Sequence, residues 1–117
     1  MGTNLTIAKG ENSTVNLQVS DDTGAAVNIT GSTITLTVKD DTDESAVRLQ
    51  KVSTNPSEIT ITDAVGGLAE VYFVPADTVA IIADTYAYDI WIELAGGEQF
   101  QIIPVSHFKI LERITVL

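Results

Sequence analysis

The sequence predicts an all-β fold, a sandwich or barrel of about seven to nine short antiparallel strands. Apolar and polar residues alternate through most of the chain, which is typical of strands with one buried face. Clusters of Gly, Asn, Asp and Pro separate these alternating segments, and almost no segment has the period of a helix. No linker or repeat is visible, so we expect residues 1–117 to form a single domain.

The first half of the chain predicts four strands. Residues 15–19 alternate, residues 21–24 supply turn chemistry, and residues 27–29 resume the alternation, which indicates a hairpin. Residues 33–38 alternate isoleucine, leucine and valine with threonine and predict another strand. The acidic residues 40–44 predict a loop, and residues 46–52 a further strand.

The second half predicts two hairpins and a corner. A strand begins at Ile59, a turn at residues 63–67 reverses the chain, and residues 68–74 return. Residues 75–82 have helical character and predict one short helical turn between the sheets.

The last hairpin follows. Residues 86–94 alternate, Gly96 and Gly97 turn the chain, and residues 99–103 form the next strand. Pro104 is expected to interrupt pairing before the final strand near Phe108.

In each strand, the alternate residues that carry apolar side chains are predicted to face the core. The predicted buried residues are Val15, Leu17, Ile34, Leu36, Ile61, Val71, Phe73, Tyr88, Ile90 and Ile92. Tyr86 and Tyr88 share the core-facing row, and we expect one of their hydroxyl groups to bond the backbone at the rim, as in a tyrosine corner.

Composition argues against several classes of function. A formal net charge of -10 repels nucleic-acid backbones and anionic membranes, although the simpler interpretation of this charge is solubility. The absence of cysteine excludes disulfides and thiolate sites. No apolar run is long enough to span a bilayer, and the first residues do not resemble a secretory signal, so we expect synthesis in the cytoplasm.

No residue pattern predicts catalysis, a cofactor or a metal. Ser106 and His107, the only histidine, point to opposite faces of a strand and cannot act as nucleophile and base by adjacency. The acidic run 40–44 lacks the glycine and the distant glutamate of a calcium loop, so we expect a solvated loop. We therefore expect that the protein is not an enzyme.

Trp91, the only tryptophan, has two interpretations. It alternates with Ile90 and Ile92, so it lies on the opposite face of its strand. We expect it to be buried against another element. The alternative is an exposed platform for a protein or a sugar.

Three segments carry a family resemblance over about 90 residues. They are residues 61–71 (ITDAVGGLAEV), 75–78 (PADT) and 84–90 (DTYAYDI), with residues 30–38 matching more loosely and residues 114–116 (ITV) at the position of the final strand. These segments resemble immunoglobulin-like virion proteins of tailed bacteriophages, in particular the N-terminal domain of siphophage baseplate upper proteins. Where that family has glycine before Thr-Tyr, this chain has Asp84.

The resemblance implies an immunoglobulin-like β-sandwich and a structural or assembly role in a virion, in the tail, baseplate or head. It implies a homo-oligomer in contact with other virion proteins and localisation in the virion. The alternative function is a carbohydrate-binding or adhesion module that uses exposed aromatic residues. The expected interface consists of Trp91 and the aliphatic residues of the terminal strand, which are Ile110, Ile114, Val116 and Leu117.

Overall fold

A computed structural model of the chain describes residues 4–40 and 47–114, which form eight strands and one short helix. The elements are β1 (Leu5–Ala8), β2 (Ser13–Gln18), β3 (Thr33–Asp40), β4 (Val47–Val52), β5 (Ile59–Asp63), β6 (Leu68–Phe73), α1 (Pro75–Thr78), β7 (Thr85–Glu93) and β8 (Gln99–Leu111). Of the predicted acidic loop, only Asp40 lies within the described residues, where it ends β3.

The strands form two sheets that share one apolar core. One sheet has five strands in the order β1-β8-β7-β3-β4, and the other has three in the order β2-β6-β5. Consecutive strands are divided between the two sheets as in an immunoglobulin-like sandwich. The predicted fold class, including the short helical turn near residues 75–82, is confirmed.

The prediction that every strand pair is antiparallel is wrong at one place. β1 pairs in parallel with the end of β8, with Leu5 opposite Phe108 and Ala8 opposite Leu111. Ile7 and Ile110 come side by side in this register, and both are buried. The first strand thereby covers the apolar end of the last strand rather than extending the three-stranded sheet.

Alternating burial explains why β3 and β7 form the centre of the larger sheet. Ile34, Leu36 and Val38 of β3 are fully buried, and they lie opposite Ile92, Ile90 and Tyr88 of β7. The intervening threonines of β3 are β-branched and suit the pleated outer surface. Eight of the ten residues predicted to be buried are buried.

The two exceptions, Val15 and Ile61, are half-buried and pack against the core. Both lie in edge strands of the three-stranded sheet, β2 and β5. An edge strand has no neighbour on one side, so its inward side chains keep some contact with water.

Residues 21–24 form the predicted turn, but residues 27–29 do not form the predicted strand. The Asp21 Oδ1 atom accepts hydrogen bonds from the backbone N–H groups of Thr23 and Ala25 at 2.9 and 3.0 Å. The bond from the Thr23 hydroxyl, with these backbone bonds, lowers the pKa of Asp21. After an isolated bridge between Ser20 and Ala26, the Ile29 N–H group donates to the carbonyl oxygen of Ala64, and the Ile29 side chain is fully buried.

Pro104 interrupts the pairing with β7, as predicted, but it does not end the strand: Pro104 and Val105 have no partner in the β7 register. β8 runs without a break from Gln99 to Leu111, and its register with β7 shifts between Tyr88 and Ile90 and again between Ile90 and Trp91. These bulges accommodate the proline, which lies where β1 does not cover the outer edge of β8.

The helical turn α1 is tied to the larger sheet by a buried ion pair. Lys51 points inward from β4, and its Nζ atom lies 2.7 Å from Oδ2 of Asp77. The same carboxylate oxygen accepts the Val74 N–H at 2.8 Å, at the N-terminus of α1. The Lys51 ammonium group also lies 5.8 Å from the centre of the Phe73 ring. Asp77 thus joins two distant segments while it caps the turn.

The chain enters β7 through a tyrosine corner, as predicted. The Tyr86 hydroxyl donates a hydrogen bond to the carbonyl oxygen of Ile82, while its ring is buried. In the described part of the chain, α1 is the only helix, and no helix there is long and apolar enough to cross a membrane.

We expect Asp77→Ala to destabilise the fold by about 3 kcal/mol, because it leaves the Lys51 ammonium group buried without its partner. The free energy of unfolding, measured with urea, tests this. Asp40→Asn is the control, because the Asp40–Arg48 pair lies at the surface and its loss should have a much smaller effect on stability. Equal effects of the two variants would contradict a structural role for the buried pair.

Stability should fall at alkaline pH because of Tyr88. Desolvation in the core raises the pKa of Tyr88 from 10.0 to about 12, so the folded state holds the phenolic proton that the unfolded state loses. The stability is fully present below pH 10 and is lost as the pH rises through the folded pKa, by about 2 to 3 kcal/mol. Unfolding curves between pH 9 and 12 should show a shallower fall for Tyr88→Phe than for wild type. An identical fall would assign the effect to other groups.

Candidate interaction surface

Trp91 is exposed, so the expectation that it is buried is wrong. Its side chain retains 44% of its full exposure on the outer face of the five-stranded sheet. Ile90 and Ile92 occupy the inner face of β7, and the pleat therefore directs Trp91 outward. At this exposure, part of the indole ring is open to solvent.

The register of the sheet surrounds Trp91 with polar side chains. Thr35 of β3 and Gln101 of β8 lie directly opposite Trp91, one on each side. Thr37 lies opposite Asp89 in the neighbouring row. We refer to these five residues (Thr35, Thr37, Asp89, Trp91 and Gln101) as the Trp91 face.

Hydrogen bonds fix the orientation of the indole ring. The Trp91 Nε1–H group donates to Oδ2 of Asp89 at 3.0 Å, two residues earlier on the same face of β7. Gln101 donates to the same carboxylate oxygen from β8 at 3.3 Å. Because the ring is held in place before any partner arrives, binding would cost less side-chain entropy at this position.

Trp91 separates two shallow hollows. One, of about 300 Å³, is lined by Thr33, Thr35, Trp91, Glu93 and Gln99. The other, of about 390 Å³, lies on the opposite side of the ring, between Lys39, Asp89 and the exposed Val105. The indole therefore borders both hollows, and a partner that contacts Trp91 could also reach the residues that line them.

The potentially reactive side chains do not converge. Ser106 is buried and donates its hydroxyl to the carbonyl oxygen of Pro104, whereas His107 is exposed on the opposite face of β8, as the sequence predicts. Within residues 4–40 and 47–114, no three acidic or histidine side chains are grouped so as to hold a metal ion.

The Asp40 carboxylate, the described member of the acidic run, accepts two hydrogen bonds from Arg48 at 2.9 and 2.6 Å. These bonds lower the pKa of Asp40.

The residues of the expected terminal interface have different locations. Ile110 is buried in the core, because it faces inward beside Ile7, so its side chain is not part of a surface. Ile114 is 97% exposed. Val116 and Leu117 lie outside the described residues.

Trp91 and Ile114 do not form one continuous patch. Gln101, which is level with Trp91, precedes Leu111 by ten residues along β8. This separation corresponds to about 30 Å of strand. Any contact through Ile114 would therefore be separate from one through the Trp91 face.

Sequence reasoning missed the anchoring role of Asp89 and the exposure of Val105. The spacing of Asp89 and Trp91, two residues apart on one strand, was the available signal for the hydrogen bond. Val105 has the opposite parity on β8 to the buried Phe108 and Ile110, so alternation was the available signal for its exposure.

No protein-family model matches the sequence, and no curated protein is significantly similar to it.

Proposed function

We propose that the chain is a structural or assembly protein of a tailed-phage virion, in the tail, baseplate or head, that acts through protein–protein contacts. The observation that supports contact formation is the exposed Trp91, which is hydrogen-bonded to Asp89 on the outer face of the five-stranded sheet. Tryptophan is enriched among residues that dominate binding energy at protein interfaces. The phage setting rests on the sequence resemblance of residues 61–90.

The partners in this proposal are further copies of the chain and other virion proteins. The Trp91 face combines one large apolar ring with neutral threonine and glutamine side chains. Interfaces between proteins that also exist as stable monomers have a similar mixed composition. The acidic group of the Trp91 face, Asp89, and the neighbouring Glu93 each accept a hydrogen bond from a glutamine of β8.

A carbohydrate-binding or adhesion module is the second candidate, and one observation favours it. An exposed indole ring beside amide and carboxylate groups is suited to stacking on a sugar. However, the aromatic platform is limited to Trp91. Tyr86 and Tyr88 are buried in the core, and Tyr72 lies on the three-stranded sheet.

Trp91→Ala should weaken self-association by at least about tenfold if the ring anchors the contact. Sedimentation velocity over a wide concentration range measures this. Val79→Ala is the matched control, because Val79 is an exposed apolar residue that follows α1 and does not belong to the Trp91 face, so its truncation should have no effect. Deletion of residues 114–117 tests the terminal segment separately, and association unaffected by both changes would contradict a homo-oligomeric interface at these positions.

The virion setting and the sugar alternative need their own measurements. Peptide mass spectrometry of purified particles, from a phage that encodes the chain, should find it at fixed stoichiometry, and its absence would refute the virion role. Titration of the protein with host cell-wall saccharides, followed by calorimetry, tests the alternative. A saturable change that Trp91→Ala abolishes, together with a monomeric wild type, would favour carbohydrate binding.

A further inference from the structure

The edge of β2 lacks the features that block the other sheet edges. β2 pairs with β6 in an unbroken register from Ser13–Phe73 to Gln18–Leu68, without a bulge. It contains no proline and no charged residue. Native proteins normally protect such an edge, because its unpaired backbone groups can pair with another strand.

The other edges are each interrupted. β4 carries Arg48 and Lys51, and its register with β3 shifts beside Lys39. β5 has a register shift before Asp63. The uncovered part of β8 contains Pro104 and bulges, and β1 is only four residues long. Protection at these edges makes the unprotected β2 edge unusual within the same molecule.

The topology explains why β2 is uncovered. In an immunoglobulin-like sandwich the first strand can pair with the second, but here β1 pairs with β8. β2 is consequently the terminal strand of the three-stranded sheet, and no other described strand pairs with it. The position beside β2 is open for a strand from another molecule.

The free backbone groups of β2 belong to alternate residues. The Val19 N–H donates to the Gly67 carbonyl on the β6 side at 2.8 Å. In an antiparallel ladder, Val15 and Leu17 share this orientation, so Thr14, Asn16 and Gln18 direct their N–H and C=O groups to the open side. Their three side chains are exposed and uncharged.

We propose that β2 pairs with β2 of a second copy, antiparallel and about a two-fold axis at Asn16. In this register Thr14 lies opposite Gln18 of the second copy, and Asn16 lies opposite its own counterpart, which gives about six backbone hydrogen bonds between the copies. The half-buried Val15 lies opposite Leu17 of the second copy, which completes the apolar inner face. The two sheets of three strands become one sheet of six.

Charge favours a second copy at this edge. Each copy has a formal net charge of -10, so two copies repel one another over most of their surfaces. The neutral β2 edge is where two acidic copies can meet with no like charges opposed within the paired strands. A single strand pair buries less area than a stable dimer usually needs, so association is weak and depends on concentration.

A cysteine scan tests the register, since the natural chain has no cysteine. Under mild oxidation Asn16→Cys should form a covalent dimer, because residues opposed in this ladder have Cα atoms about 5.5 Å apart, within disulfide reach. Thr14→Cys is the matched control on the same strand and face, and its counterpart lies four residues away in this register. Equal cross-linking at positions 14 and 16, or none at 16, would overturn the proposal.

Two substitutions at one position separate backbone pairing from side-chain contact. Asn16→Pro removes the outward N–H and should weaken self-association by at least about tenfold, whereas Asn16→Ala retains it and should change association by less than about twofold. Light scattering at high protein concentration measures both, with circular dichroism to verify folding.

Raising the salt concentration should strengthen association, because it screens the repulsion between the copies. A wild type that stays monomeric at millimolar concentration, or an Asn16→Pro variant that associates normally, would refute the inference. Trp91→Ala should leave the Asn16→Cys cross-link intact, so this test is independent of the Trp91 face.

Discussion

The two sheets are held together mainly by apolar packing, and an aromatic contact between them joins Phe73 and Phe108. Phe73 belongs to β6 of the smaller sheet and Phe108 to β8 of the larger sheet, and their ring centres are 5.4 Å apart. Tyr88 adds an edge contact to Phe108 at 5.9 Å. A chain without cysteine has no covalent link to substitute for this contact.

The parity of every strand is set by which side chains reach this core, and the outward-facing side chains follow from the inward-facing ones. Trp91 is exposed because Ile90 and Ile92 are buried, and the surface proposed for function is determined by the core.

Alternation in the sequence was sufficient to predict the strands and most of the core, because a residue's face follows from its parity. It was insufficient wherever the outcome depended on contacts between distant segments. The parallel pairing of Ile7 beside Ile110 joins the two ends of the chain and leaves no local pattern. The continuity of β8 through Pro104 depends on an uncovered edge, which only the topology reveals. Parity placed Trp91 opposite the core but could not show whether another element would lie over it.

The buried ion pair illustrates the same limit and explains part of the topology. Lys51 lies on the core-facing parity of β4, where a charged residue contradicts the expected pattern. Asp77 resolves this conflict from α1, twenty-six positions along the chain, and also accepts the N–H that begins the helical turn. An inward charge on an edge strand also discourages pairing with another molecule at that edge. The same interaction thus fixes the corner between the sheets and protects β4, whereas β2 at the far side has no comparable protection.

The two proposed contacts lie on different sheets, and this arrangement has a consequence for assembly. Pairing through β2 would extend the three-stranded sheet sideways, while the Trp91 face belongs to the five-stranded sheet and stays free. A dimer of this kind would present two Trp91 faces in a fixed relation, because the paired strands form one continuous sheet. Two weak contacts that are held rigidly can together bind far more tightly than either alone, provided that the partner repeats with a matching spacing. A repeating partner is what a symmetric assembly offers. An edge contact too small to give a stable dimer alone could thus still determine how the chain is arranged on such a surface.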